Sequence, residues 1–133
     1  GLEEGRQLAK PVFELSYKND ALGDPLINDD HAVALELVTE AELAQIKDLT
    51  SRINRALQDL FLAANLILVN FKIEFGKTSD GQIILADEIS PDTCRLWDKD
   101  TRDKLDKDRF RRDLGDVMAA YKEVLGRLEN ARN

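Results

Sequence analysis

From Thr39 onward the apolar residues fall at helical spacing, with Leu43, Ile46, Leu49, Ile53, Ala56, Leu57, Leu60 and Phe61 recurring every three or four positions. A stripe of that period buries one face of a helix. Thr39 and Glu42 have the spacing of a capping box, so the pattern predicts a long amphipathic helix over about 40 to 64, stopped near Asn65. Upstream, VFELSY alternates apolar and polar positions after Pro11, with Phe13 breaking the alternation, and predicts a short strand. KNDALGDPLINDDH, dense in Asn, Asp, Gly and Pro, reads as a loop.

Downstream, LILVNFKIEF and QIILADEI flank the turn signal KTSDG, and together they predict a hairpin. Alternation along the first strand would put Ile67, Val69, Phe71, Ile73 and Phe75 on a core face and Leu68, Asn70, Lys72 and Glu74 on the other. Beyond Pro91 a polar loop leads to a short basic helix around 106 to 113. Gly115 separates it from a last helix carrying Val117, Met118, Tyr121, Val124, Leu125 and Leu128 on one stripe.

Composition narrows the class. The 133 residues suit one domain with a single core, read here as spanning 1–133. With 26 acidic against 19 basic residues the net charge is −7, which argues against a general nucleic-acid binder. No apolar run is long enough to span a membrane and no signal peptide is visible, so the expectation is a cytoplasmic protein without nucleic-acid or membrane partners. The start, GLEEGRQLAKP, lacks an initiator Met and an apolar element, and reads as the tail of something that began earlier. The oligomeric state is not legible, and a homo-oligomer is compatible with the pattern.

The candidate chemistry is carried by acids and arginines. In LADEISPDTCRLWD, Asp87, Glu88, Asp92, Arg95 and Asp98 crowd a stretch in which a plain turn would use Gly, Asn or Ser. The hairpin offers Lys72 and Glu74 on one strand with Asp87 or Glu88 entering from the other, and the register decides which. Two converging carboxylates beside a lysine suit Mg2+ bridging nucleotide phosphates, because that ion takes one or two protein carboxylates and leaves its other positions to phosphate and water. The plainer reading is a solvated strand face, since K-x-E is a common spacing, and no Walker or Rossmann glycine motif adds to it.

Arg95, Lys107, Arg109, Arg111 and Arg112 supply donors suited to phosphate or carboxylate, although DKDRFRRD also reads as a helix face laced with ion pairs. His31 has no partners for a triad and reads as a loop or capping residue. Cys94 reads as a small side chain rather than a nucleophile, and Trp97 as an anchor for its loop. No Cys/His cluster suggests zinc.

The strings SYKNDALGDPLINDDHA, LVNFKIEFG, LADEISPDTCRLWD and LDKDRFRRDLG, in that order, resemble SAICAR synthetase, the phosphoribosylaminoimidazole-succinocarboxamide synthase of purine biosynthesis. DEISPDTCRLWD followed by DKDRFR is the most specific part. The resemblance is to the C-terminal portion of a longer enzyme whose smaller N-terminal domain supplies a glycine-containing loop and a lysine over ATP.

It implies an α+β fold, mostly antiparallel sheet with flanking helices and ATP-grasp-like. It also implies an ATP-dependent carbon–nitrogen ligase that joins L-aspartate to the carboxylated aminoimidazole ribonucleotide CAIR through an acyl phosphate, giving SAICAR, ADP and phosphate. Carried over by position, Glu74 and Asp87 would hold the Mg2+ of the bound nucleotide, and Lys72 would face the ATP phosphates as a catalytic and cofactor-binding residue. Lys18 and Asp24 would line the substrate cleft, Asp24 also being a catalytic candidate as a second metal or CAIR contact. Asn70, Asp92, Arg95, Lys107 and Arg111 would contact CAIR.

Many members have Asp where this chain has Asn70, and an amide can hydrogen-bond but cannot act as a base or an anionic ligand. The implied fragment would be weakly active or inactive alone. Two other readings stay open: a non-catalytic nucleotide- or anion-binding module, and a phosphotransferase acting on another polyanion.

Overall fold

The computed structural model describes residues 1–132 and divides the chain into two compact units, Gly1–Ser51 and one from Arg52 onward. In the first unit, β1 (Leu15–Ser16) pairs antiparallel with β2 (Leu26–Ile27), so the strand expected from VFELSY is reduced to two residues. The expected loop between them holds a 3-10 turn, Asp20–Leu22, closed by Gly23 at φ 70° and Asp24 at φ 49°. The same stretch also contains α1 (Asp29–Ala34), which begins where Asn28 accepts from the His31 N–H at 2.8 Å. His31 returns the bond, its Nδ1 accepting from the Asn28 N–H at 3.3 Å, and is therefore a capping residue as expected.

The long helix, α2 (Glu40–Ala63), matches its expected span. Thr39 Oγ1 accepts from the Glu42 N–H and Glu42 Oε1 accepts from the Thr39 N–H, both at 3.1 Å. The capping box is thus realised in both directions. The helix stops where Asn65 turns into the left-handed region at φ 58°, a conformation Asn tolerates better than most residues.

In the second unit the expected hairpin is rearranged. The run LILVNFKIEF is two strands: β3 (Leu66–Phe71) and β4 (Phe75–Lys77). Only β4 pairs with β5 (Ile83–Leu85), whereas β3 pairs antiparallel with the distant β6 (Cys94–Asp98). Among the described residues the strands form three separate two-stranded antiparallel sheets within an α+β chain, not one larger sheet.

The expected core face also changes. A bulge between Leu68 and Asn70 inserts Val69 into the ladder, and an extra residue breaks the period of two. Leu66, Leu68 and Phe71 join the core, while Val69 is 40% exposed.

That core gathers Phe61, Ala64, Leu66, Cys94, Leu96, Leu105, Ala120 and Val124. Cys94 is accordingly a buried core side chain, and burial pushes its thiol pKa up. Trp97 is buried in β6 with Lys104 Nζ 4.6 Å from its ring centroid, an anchor as expected. The basic segment forms a single turn, α3 (Asp108–Arg111), and the last helix is α4 (Val117–Arg132). On α4 the packed row is Ala120, Tyr121, Val124 and Leu128, and the stripe predicted from bulk is turned by the small Ala120 at its contact. Met118 and Leu125 lie outside that row and are exposed. No helix among the described residues is long and apolar enough to cross a membrane.

Candidate functional site

The SPDT turn organises the second unit's polar residues. Its backbone is closed by the Thr93 and Cys94 N–H groups, both donating to Ser90 O, and by Ser90 Oγ accepting from the Asp92 N–H at 3.2 Å. Two further backbone bonds gather the motifs around it. The Lys72 N–H donates to Thr93 O at 2.7 Å, and the Lys107 N–H donates to Pro91 O at 3.1 Å. Lys72, Asp92 and Lys107 are therefore brought beside one turn although 35 residues of sequence separate the first from the last.

Arg95 stands next to that turn on β6, opposite Asn70 on β3. Its Nε donates to Asp108 Oδ2 at 2.8 Å and its Nη1 to Asn70 Oδ1 at 3.3 Å. Arg111 Nη1 lies 4.0 Å from the other oxygen of Asp108. The Asp108 side chain is only 5% exposed, against 42% for Arg95 and 53% for Arg111. A buried carboxylate thus sits behind two outward-reaching guanidinium groups.

Asp106 fixes this arrangement from below. Its Oδ2 accepts from the Leu96 N–H at 2.7 Å and its Oδ1 from the Asp108 N–H at 2.8 Å, so one side chain ties β6 to the start of α3. Burial pushes its carboxyl pKa up, against the pull of those two N–H groups. Neither Asp106 nor Asp108 is singled out by the sequence, in which DKDRFRRD reads either as a set of donors for anions or as an ion-paired helix face. The sole signal was D-x-D ahead of a basic run, and their burial depends on pairing with a strand ten residues away.

The other expected residues are placed as follows. Lys72 Nζ lies 3.8 Å from Glu74 Oε1, with the Glu74 side chain largely buried. The Ala86 N–H donates to Glu74 O, continuing the β4–β5 register by one step and then ending it. Extended further, that register would set Asp87 opposite Ile73 and Glu88 opposite Lys72, but the regular pairing stops first, and Asp87 Oδ1 accepts from the Glu88 N–H at 2.8 Å. Arg109 is spent on structure, its Nε donating to Lys104 O at 2.5 Å.

Lys18 and Asp24 belong to the first unit. There Asp24 Oδ1 accepts from the Asn19 N–H at 2.7 Å, so one of its two oxygens holds the loop.

Among the described residues no three His, Cys, Asp or Glu side chains gather as a metal site. Glu74 and Asp87 carry the hard oxygen ligands that Mg2+ requires, and the Ala86–Glu74 backbone bond sets their segments side by side.

Arginines paired with a buried carboxylate have the donor geometry that suits small phosphorylated or carboxylated anions. More narrowly, the chain belongs to the SAICAR synthetase family, whose model matches residues 1–128. It is 65% identical over 128 residues to the phosphoribosylaminoimidazole-succinocarboxamide synthase of Finegoldia magna and 62% identical over 129 residues to that of Dichelobacter nodosus. These alignments cover 96% and 97% of this chain but 55% and 54% of the relatives, so the chain spans about half the length of the curated relatives it matches.

Among solved structures, SAICAR synthetase from Pyrococcus horikoshii OT3 aligns with a TM-score of 0.90 at 49% identity, over 97% of this chain and 56% of that one. A SAICAR synthetase in complex with ADP aligns with a TM-score of 0.90 at 50% identity, over 96% of this chain and 54% of the other.

Proposed function

We propose that this chain is the C-terminal, substrate-binding portion of a cytoplasmic SAICAR synthetase, an ATP-dependent ligase that joins L-aspartate to CAIR and releases ADP and phosphate. The observation that carries this reading is the unbroken family match over residues 1–128, within which the motif residues cluster at one turn. The ADP held by a 50% identical relative supports nucleotide use.

On this reading Arg95 and Arg111 bind anionic groups of CAIR, with Asn70, Asp92 and Lys107 completing the contacts. A guanidinium fork suits either a phosphate or a carboxylate. Lys72 faces the nucleotide phosphates, where a cation offsets charge that develops during phosphoryl transfer. Glu74 and Asp87 would hold Mg2+, which when bound supplies further neutralisation of the phosphates. Lys18 and Asp24, in the first unit, are read as substrate-binding residues on the strength of the resemblance. The chain's own work is therefore to fix three anionic reactants against their mutual repulsion.

Calorimetric titration of the chain with CAIR, repeated with ATP and Mg2+ present, tests the proposal. Saturable CAIR binding that Arg95→Ala weakens is expected, and absence of CAIR binding by the folded chain overturns it. A ligase assay on a longer protein carrying this chain, followed by ADP release, tests the chemistry. Aspartate- and CAIR-dependent ADP release is expected there, and binding of CAIR without any such turnover would favour the non-catalytic module.

A further inference from the structure

We infer that Asp108 is a positioning residue for anion binding: it acts through Arg95 and makes no contact with the substrate itself. The inference rests on the reading of Arg95 as a substrate-binding residue and deepens it.

The geometry separates the two roles. The Asp108 side chain is 5% exposed and lies behind the guanidinium groups, with Arg95 Nε at 2.8 Å and Arg111 Nη1 at 4.0 Å on its two oxygens. Its backbone is fixed as well, because Asp106 accepts the Asp108 N–H on one oxygen and the Leu96 N–H, beside Arg95, on the other. The carboxylate and the strand carrying Arg95 are thereby locked to a common support.

Arg95 in turn spends Nε on Asp108 and one Nη1 hydrogen on Asn70. A guanidinium carries five N–H donors in a rigid fork, so these two bonds set its plane and leave the remaining donors for an anion. A freely rotating arginine would have to lose that freedom on binding, and Asp108 has removed it in advance.

Charge and position make opposite predictions here. Removing a negative charge next to the site strengthens its Coulomb attraction for an anion, so if Asp108 mattered only through charge, Asp108→Asn would bind CAIR more tightly. If Asp108 positions Arg95, the same variant binds CAIR more weakly, because a charge-assisted bond that held the fork is lost.

The test is calorimetry on the full chain with CAIR and with the corresponding aminoimidazole riboside lacking both phosphate and carboxylate, using Asp108→Asn, Arg95→Ala and the double variant. We expect Asp108→Asn to weaken CAIR about tenfold, the scale of one hydrogen bond to a charged group, with the uncharged riboside unaffected. In the Arg95→Ala background Asp108→Asn should weaken CAIR no further, a coupling that general loss of structure would not produce.

Tighter or unchanged CAIR binding in a folded Asp108→Asn protein overturns the inference while leaving the role of Arg95 intact. If Arg95→Ala itself leaves CAIR binding unchanged, the underlying reading of the site fails instead. Should Asp108→Asn not fold, Arg95→Lys serves in its place. It keeps the charge but has no Nε–H to meet Asp108, and is expected to lose about as much CAIR affinity as Asp108→Asn would. Parent-like binding by Arg95→Lys overturns the inference.

Discussion

Tyr121 Oη donates a 2.6 Å hydrogen bond to Asp92 Oδ1 across 29 residues of sequence, joining α4 to the SPDT turn that stands beside Arg95. Burial, and then the Asp92 bond, push the phenol pKa above its ordinary range, so the hydroxyl remains a donor at any working pH. Tyr121→Phe keeps the ring against the core and removes only the bond. It should destabilise the protein by about 1 kcal/mol, whereas Tyr121→Ala, which also removes the packed ring, should cost about 3 kcal/mol. Urea denaturation of the two variants checks this, and equal losses would mean that the ring contributes nothing.

Acid stability should depend on Asp98. This buried carboxylate accepts from the Asp100 and Thr101 N–H groups at 2.8 Å each and pairs with Arg127 Nη2 at 2.7 Å. The Thr101 N–H, followed by Arg127, holds its carboxyl well below the usual carboxylate range. A depressed folded pKa means that the unfolded chain takes up the proton first as pH falls, so the stabilisation is present above about pH 4 and is lost below it. Asp98→Asn should therefore lower the urea midpoint at pH 7 and make its further decline toward pH 2 shallower. Asp106 has the opposite sign. Burial raises its pKa, so the folded state retains that proton longer, and Asp106→Asn should make the acid decline steeper.

What could be read from the sequence was what is decided locally. The span of α2, its Thr39–Glu42 cap and its stop at Asn65 all depend on residues within a few positions of one another. The partner of β3 was not legible, because LILVNFKIEF has the composition of one continuous strand and nothing in it marks the break after Phe71. Nor does any residue announce the bulge at Val69, which puts Leu68 rather than Val69 against the core while Phe71 stays there. The site divides in the same way. Arg95, Asp92 and Lys107 are singled out by motif strings, whereas the burial of Asp106 and Asp108 follows from the bond of Asp106 to the Leu96 N–H, a long-range contact no local pattern announces.

The cap itself gives a clean stability test. Thr39→Ala removes the acceptor for the Glu42 N–H and leaves only the reciprocal bond, from the backbone N–H of residue 39 to Glu42 Oε1. A loss of about 1 kcal/mol is expected, equivalent to roughly 2–8 °C in melting temperature for a chain of this size. Thr39→Ser retains the hydroxyl and should recover most of it. Thermal melts followed by circular dichroism check both variants, and an unchanged Thr39→Ala melt would show that the cap contributes nothing to the folded chain.

Asn70 stands where the resemblance implies an Asp in many members of the family, and its contacts bear on what that exchange would alter. Its Oδ1 accepts from Arg95 Nη1 at 3.3 Å, opposite Arg95 in the bulged ladder. Asn70→Asp would convert that neutral bond into an ion pair and place a carboxylate at the mouth of the anion site. The new charge has two effects of opposite sign on ligands. It neutralises part of Arg95 and repels an incoming anion, which at an effective dielectric between protein surface and water is worth about 1 kcal/mol. A carboxylate is also a hard oxygen donor, which favours a divalent cation. Without metal, Asn70→Asp should therefore bind CAIR about fivefold more weakly than the parent chain. With Mg2+ added, the deficit should shrink as the cation offsets the carboxylate, while the parent chain responds less. Calorimetric titration of CAIR into both proteins, with and without Mg2+, gives the four affinities required. An Asn70→Asp protein that binds CAIR as tightly as the parent in the absence of metal would show that position 70 does not face the anion.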